Sequence, residues 1–175
     1  HAEDDFETIQ DVLLAVRGTS ASVKGREAAP IDYLVGLLKV WEIVDQKYES
    51  DIPLKVREIC QAYADGINLY IEKYPDKAFQ ELYPVKGQDI VAGFIFRTPL
   101  MFDLDWYIKE LMKDTKPEFH DYTHTNTEYS MYGSNVFALN KNRTDDGHTR
   151  IAINSHQPWT GPVTWYEAHL HSEEG

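Results

Sequence analysis

Gly133-Ser134-Asn135-Val136-Phe137-Ala138-Leu139, a polar loop, and then His148 to Asn154 form the stretch whose reading decides the rest. Two short runs of Val, Phe, Ile and Ala flank the turn signal Asp145-Asp146-Gly147, which predicts a strand-loop-strand unit opened by the Gly133-Ser134 bond. Serine is a weak nucleophile unless a base stands beside it. If the bond before Ser134 is cut, the new α-amino group lies within reach of its own hydroxyl. An α-amine has a pKa of about 7.7–8, so roughly a tenth of it is unprotonated at neutral pH, whereas a lysine at about 10.4 is almost wholly charged. One backbone cleavage would therefore create both a nucleophile and its base. A Gly-Ser pair alone is usually a turn, so the residues around it must decide.

Those residues are Met131-Tyr132-Gly133-Ser134-Asn135, then Asn154-Ser155-His156-Gln157-Pro158-Trp159-Thr160-Gly161, then Val163-Thr164-Trp165-Tyr166-Glu167-Ala168-His169-Leu170. Their order and spacing resemble the penicillin acylase family of N-terminal nucleophile hydrolases, which includes acyl-homoserine lactone, cephalosporin and aculeacin-type acylases. The likeness consists of a Gly-Ser-Asn start, a Thr-Asp-Asp-Gly turn, an Asn-x-His-x-Pro-Trp-x-Gly segment and a Trp-Tyr-Glu-x-His strand. Upstream, His1-Ala2-Glu3-Asp4 and Ala62-Tyr63-Ala64-Asp65-Gly66-Ile67-Asn68-Leu69-Tyr70 are similar to segments of the family's α part. The resemblance spans nearly the whole chain, but family members begin before His1 and continue well past Gly175. It therefore implies a precursor fragment, exported to the periplasm or secreted.

Composition sets bounds that stand without the resemblance. With 175 residues, 42% hydrophobic and 13% aromatic, the chain is long and apolar enough for a folded core. A net charge of −12 with no Lys/Arg cluster argues against nucleic acid as a partner. No apolar run approaches membrane-spanning length, so no membrane partner is expected. The single cysteine, Cys60, excludes an internal disulfide framework and lies in an apolar helical stretch, where it reads as core.

Three segments follow from the pattern. Residues 1–112 are helix-rich. Phe6, Ile9, Val12, Leu13 and Val16 recur at helical spacing up to Gly18; Ile31, Leu34, Val35, Leu38, Trp41 and Val44 repeat the pattern after Pro30. A third helix starts at Pro53, carries Val56, Ile59, Cys60, Tyr63, Ile67 and Ile71, and ends before Pro75. Tyr107, Ile108 and Leu111 suggest a fourth after the aromatic-rich stretch from Phe94 to Phe102. Each helix has an apolar stripe that must pack on something, and a sheet is the expected partner. Residues 113–133 read as a linker, and in the resembled family a spacer excised during maturation occupies this place. Residues 134–175 turn strand-like, with a third strand over Val163–Leu170 whose side chains alternate. The expected class is α+β, a partial N-terminal nucleophile hydrolase fold.

The resemblance assigns roles residue by residue. Ser134 would be the nucleophile, and Gly133-Ser134 the autocleavage bond, with Gly133 leaving a twisted peptide unobstructed. His156 stands where the cephalosporin and homoserine-lactone acylases carry a histidine bonded to the nucleophile region, and benzylpenicillin-preferring members carry glutamine. A neutral imidazole there would hold the hydroxyl or help move its proton; read from the residues alone, it is a satisfied histidine at a strand end. Gln157 follows where relatives often carry a bulky aromatic facing the acyl pocket, and is the candidate substrate-binding residue. No cofactor is expected in this chain, although the resemblance implies calcium in the whole protein, with ligands largely outside it. Oxyanion donors are likewise implied beyond Gly175, so the remainder of the β chain is a required partner and the fragment alone is expected to be inactive.

Other clusters have simpler readings. The acids of His1-Ala2-Glu3-Asp4-Asp5 complement a helix dipole. His169 and His171 share a strand face without a third ligand, and His120 and His124 lack the glutamate and helix signals of a zinc helix. The resulting expectation is a self-processing amidase that hydrolyses a small-molecule N-acyl substrate, an acyl-homoserine lactone or a β-lactam side-chain amide. The alternatives are a non-catalytic binding or folding module of the same fold in which Ser134 is never released, and a zinc hydrolase built on the histidines.

Overall fold

Glu3, Asp4 and Asp5 open helix α1 (Ala2–Arg17), where carboxylates face the positive end of the helix dipole. The computed structural model describes residues 1–102, 104–115, 133–157, 163–169 and 171–173. The chain divides into two units, residues 1–117 and 118–175. Asp5 itself is non-helical (φ −148°, ψ 56°), and its Oδ1 accepts the Thr8 N–H at 3.4 Å, so the helix is capped afresh within its first turns. At the other end Gly18 takes the left-handed conformation (φ 66°, ψ 35°) expected of a stop signal. Its N–H reaches Ala15 O, and that of Thr19 reaches Leu14 O, each at 3.0 Å. The short α2 (Ser20–Lys24) has no cap of its own; the Asp32 carboxylate accepts the N–H groups of Ser20 and Ala21, both at 2.8 Å.

The single helix predicted from Ile31 to Val44 is broken in two, α3 (Ala29–Leu37) and α4 (Val40–Asp51), at Lys39, which adopts φ 52°. The break has a packing cause. At about 100° per residue, a straight helix would leave Val40 roughly a third of a circle away from Leu34. Both are fully buried in the same cluster, and the left-handed residue swings the second segment round to achieve it.

Helix α5 (Leu54–Lys73) ends before Pro75 as expected, although Pro53 stands at its N-cap, one residue ahead of the first turn. Its buried stripe is Cys60, Ala64, Ile67, Tyr70 and Ile71, while Val56, Ile59 and Tyr63 are exposed. Cys60 is core, as read, and burial pushes its thiol pKa up. The aromatic stretch proves to be the end of α6 (Gly87–Leu100), and α7 (Leu104–Leu111) follows. Ile90 through Phe96 is apolar with little period, and Pro99 sits in the last turn, so periodicity gave no helical signal there.

Within the first unit the helical stripes pack on one another. Phe6, Ile9, Leu13 and Leu14 of α1 meet Ala64, Ile67, Tyr70 and Ile71 of α5 with Leu82 and Val85. Val16, at the end of α1, enters a second cluster with Leu34, Val35, Val40, Val44, Ala92, Phe96 and Ile108. Periodicity identifies the face a helix must bury and is silent on what covers it. An ion pair joins α1 to α6. Arg17 donates from Nε and Nη2 to the two oxygens of Asp89, both at 2.8 Å, and from Nη2 to Pro84 O at 3.0 Å. Asp89 Oδ2 also accepts the Lys86 N–H at 2.8 Å, capping α6. Three amide side chains hold the connector into α6: Gln10 on Lys77 O and Phe79 N, Asn68 on both backbone groups of Val85, and Gln61 on Gly87 N.

In the second unit, β1 (Gly133–Leu139) pairs antiparallel with β2 (Arg150–His156). The connecting turn has Gly147 at φ 69°, the Asp146 carboxylate accepting His148 N at 3.2 Å, and an Arg150–Asp146 ion pair. Among the described residues the expected third strand is not seen: Val163 lies in a turn, residues 164–169 have no regular structure, and Leu170 lies outside the described residues. Alternation supplies two faces but not a neighbour, and a strand exists only by its ladder. Most of the 113–133 linker, including His120 and His124, also lies outside the described residues, while Gly133 is already the first residue of β1. Helices with a two-stranded antiparallel sheet give an α+β composition. No described helix is long and apolar enough to cross a membrane.

Two stability measurements test this packing. Asp89 is 2% exposed, so Arg17→Met strands a buried carboxylate and should cost about 3–5 kcal/mol by denaturant titration. Adding Asp89→Asn, which keeps an acceptor for Lys86 N, should recover part of the loss; a double variant no better than the single one would refute the pairing. A Cβ on Gly87 would lie 2.5 Å from the buried Tyr48 hydroxyl and 3.1 Å from Gln61 N, so Gly87→Ala should cost about 1–3 kcal/mol in the same assay.

Candidate active site

The ladder aligns Gly133 with His156, Ser134 with Ser155 and Asn135 with Asn154. Side chains alternate along a strand, and residues directly opposite share a face. Ser134, Val136, Ala138, Ile151, Ile153 and Ser155 therefore lie on one face. Gly133, Asn135, Phe137, Asn154 and His156 lie on the other. The nucleophile candidate and the histidine candidate, both at one end of the ribbon, project from opposite faces.

Local bonds agree with that division. The Ser134 hydroxyl donates to the carbonyl oxygen of Gly133 at 2.7 Å, which holds it on the peptide it would attack. Attack requires a turn about the side chain, carrying Oγ from the carbonyl oxygen to the carbon. The His156 imidazole bonds elsewhere: Asn135 Nδ2 and His156 Nε2 are 2.9 Å apart. Its other nitrogen, Nδ1, lies over Gly133, 3.4 Å from where a Cβ would stand. The structure thus brings Gly133, Asn135 and His156 together and gives His156 no bond to the Ser134 hydroxyl among the described residues.

Gln157 follows β2 half-buried, and its Oε1 is buried without a hydrogen-bond partner among the described residues. Residues 158–162, including Pro158, Trp159 and Gly161 of the quoted motif, lie outside the described residues. Among the described residues no three His, Cys, Asp or Glu side chains gather as a metal site, so the calcium implied by resemblance finds no ligand set there and neither does zinc at His169 and His171. Sequence reasoning left Asn135 without a role. Its signal was present in the register: two residues before it in ladder terms stands the partner of His156, on the same face.

Comparison with known proteins places the chain. Acyl-homoserine lactone acylase QuiP of Pseudomonas fluorescens is 27% identical over 77 residues, covering 44% of this chain and 9% of that protein. The QuiP acylase of Pseudomonas putida is 31% identical over 77 residues with the same coverage, 44% and 9%. The matched stretch is thus a small part of each relative. No solved structure matches the chain significantly. The penicillin amidase family pattern matches residues 1–175, and the chain belongs to that family.

Proposed function

We propose that this chain carries the self-processing, nucleophile-bearing part of an N-terminal nucleophile amidase. Its substrates are linear N-acyl compounds, acyl-homoserine lactones or β-lactams with an amide side chain. The observation that carries the reading is the Ser134 hydroxyl bonded at 2.7 Å to the Gly133 carbonyl at the exposed start of a strand. Family membership along the whole chain and relatives named as acyl-homoserine lactone acylases support the substrate class.

In the first reaction Ser134 Oγ gives up its proton and bonds to the Gly133 carbonyl carbon, the C–N bond breaks, and that proton ends on the nitrogen, which becomes an amine. The acyl group is now an ester on Ser134. Water hydrolyses it, giving a Gly133 carboxylate and a free hydroxyl. The new α-amine then serves as base in turnover: Ser134 Oγ attacks the substrate's acyl carbon, its proton passes by way of the amine to the leaving nitrogen, and water releases the acid. Before cleavage that nitrogen is an amide and accepts no proton, so the precursor is inactive. Gln157 lines the acyl pocket in this reading, its Oε1, buried without a partner among the described residues, being an acceptor for a substrate N–H. The oxyanion donors come from the remainder of the β chain, and the protein works after export, in the periplasm or outside the cell.

Intact mass and N-terminal sequencing of the full-length protein should find a chain beginning at Ser134, and Ser134→Ala should leave it uncut with turnover at least a thousandfold lower, on the order expected for a lost nucleophile. An uncut wild-type chain that still hydrolyses substrate would overturn the assignment. Turnover by the processed protein should rise with pH through about 7–8, because only the unprotonated α-amine accepts the proton of Ser134. A profile flat across that range would remove the amine from the mechanism.

A further inference from the structure

We infer that Ser155 holds the Ser134 hydroxyl for attack on the Gly133 carbonyl. Its own hydroxyl draws the Ser134 proton off the carbonyl oxygen, so that a lone pair of Oγ faces the carbonyl carbon. The consequence rests on the self-processing reading, and the geometry rests on the ribbon alone.

The ladder sets Ser155 directly opposite Ser134, and residues so paired share a face with Cβ atoms about 4.5–5.5 Å apart. One bond further out on each side, two hydroxyls can meet across the strands. The other side chains of that face are Val136, Ala138, Ile151 and Ile153, none of which can bond to a hydroxyl. Ser155 is therefore the one polar partner that the ribbon offers Ser134 on its own face. It is half-buried where Ile151 and Ile153 are exposed, and its carbonyl accepts the Gln157 N–H at 3.2 Å, which fixes the backbone at the strand's end. Its hydroxyl is bonded to nothing among the described residues.

Ser134 needs such a partner. In the uncut chain its proton points at the Gly133 carbonyl oxygen, with Oγ 2.7 Å away, so the bond keeps the hydroxyl near the peptide but turns the wrong part of it inward. No α-amine is yet present to take that proton. A hydroxyl both accepts and donates, so Ser155 first receives the Ser134 O–H. As Oγ gives up its proton and bonds to the carbon, Ser155 turns and donates to the developing charge. Ser155 keeps its own proton throughout, and the proton of Ser134 ends on the departing nitrogen.

The first test is the rate at which a chain beginning at Ser134 appears in the full-length protein. Threonine and valine have the same shape and differ by the hydroxyl. Ser155→Thr should be cut within about threefold of the wild-type rate, and Ser155→Val about 10- to 100-fold more slowly, the weight of one hydrogen bond to a charged group. Equal rates for the two variants, fast or slow, would overturn the proposal. The second test needs no self-cleavage. In full-length Ser134→Cys the thiol stands in for the hydroxyl, and its alkylation by iodoacetamide in the uncut chain is followed on the peptide carrying position 134. A donor opposite favours the thiolate, so adding Ser155→Val should make the thiol react about tenfold more slowly at neutral pH than adding Ser155→Thr. Indistinguishable alkylation rates would refute the pair. If the wild-type chain is never cut, the self-processing reading fails, and the thiol still decides whether the side chain at 155 reaches the one at 134. Ser155→Ala serves in place of the valine variant should that one fail to fold.

Discussion

An antiparallel ladder admits no partial slip: moving β2 by one residue against β1 would send every side chain to the opposite face. The pairing of Gly133 with His156 is therefore the constraint from which the whole candidate site follows. It sets the imidazole over the glycine, gives the imidazole to Asn135, and leaves the Ser134 hydroxyl with the carbonyl beside it as its partner. A ribbon of two strands is marginal by itself, and Phe137, Ile151 and Ile153 are exposed along it. Its register is held by short-range means: the Asp146 and Thr144 bonds of the turn, the left-handed Gly147, and the polar pair at the open end.

The helical unit depends on a different device. Arg17 ends one helix and Asp89 begins another, so each charge sits at the helix end whose dipole favours it. Their bidentate pair also gathers the carbonyl of Pro84 and the N–H of Lys86, backbone groups of the connector that would otherwise lie without partners near two apolar clusters. Gln10, Asn68 and Gln61 extend the same service along residues 77–87. Irregular chain next to a core is tolerated only where every N–H and C=O finds a partner, and here side chains from α1 and α5 supply them. The segment resembling the family's Ala-Tyr-x-x-Gly-x-Asn run contributes through Asn68, whose amide mimics a strand neighbour for Val85.

Legibility differed by the range of the interactions involved. Helix α1 and its stop at Gly18, the end of α5 before Pro75, burial of Cys60, and the turn at Gly147 were all readable, because each is decided within a few residues by spacing or by a glycine or proline. The break at Lys39 was not, since a lysine carries no mark of a left-handed conformation; only the need to bury Val40 beside Leu34 demands it. Helix α6 hid in an apolar run without period, its start signalled by an acid whose capping role depends on an arginine more than seventy residues earlier in the chain, at position 17. The Val163–Leu170 segment showed the reverse case, alternation that finds no neighbouring strand among the described residues.

For the site, the motif residues by themselves determined the family and the identity of the candidates, Gly133, Ser134, His156 and Gln157, because a motif is a matter of residue type and spacing. What only the tertiary structure decided is which of them meet. The resemblance implies a place for His156 near Ser134, and pairing across the ladder sets it opposite Gly133 and beside Asn135, since neighbouring residues on a strand face opposite ways while residues far apart in sequence share a face.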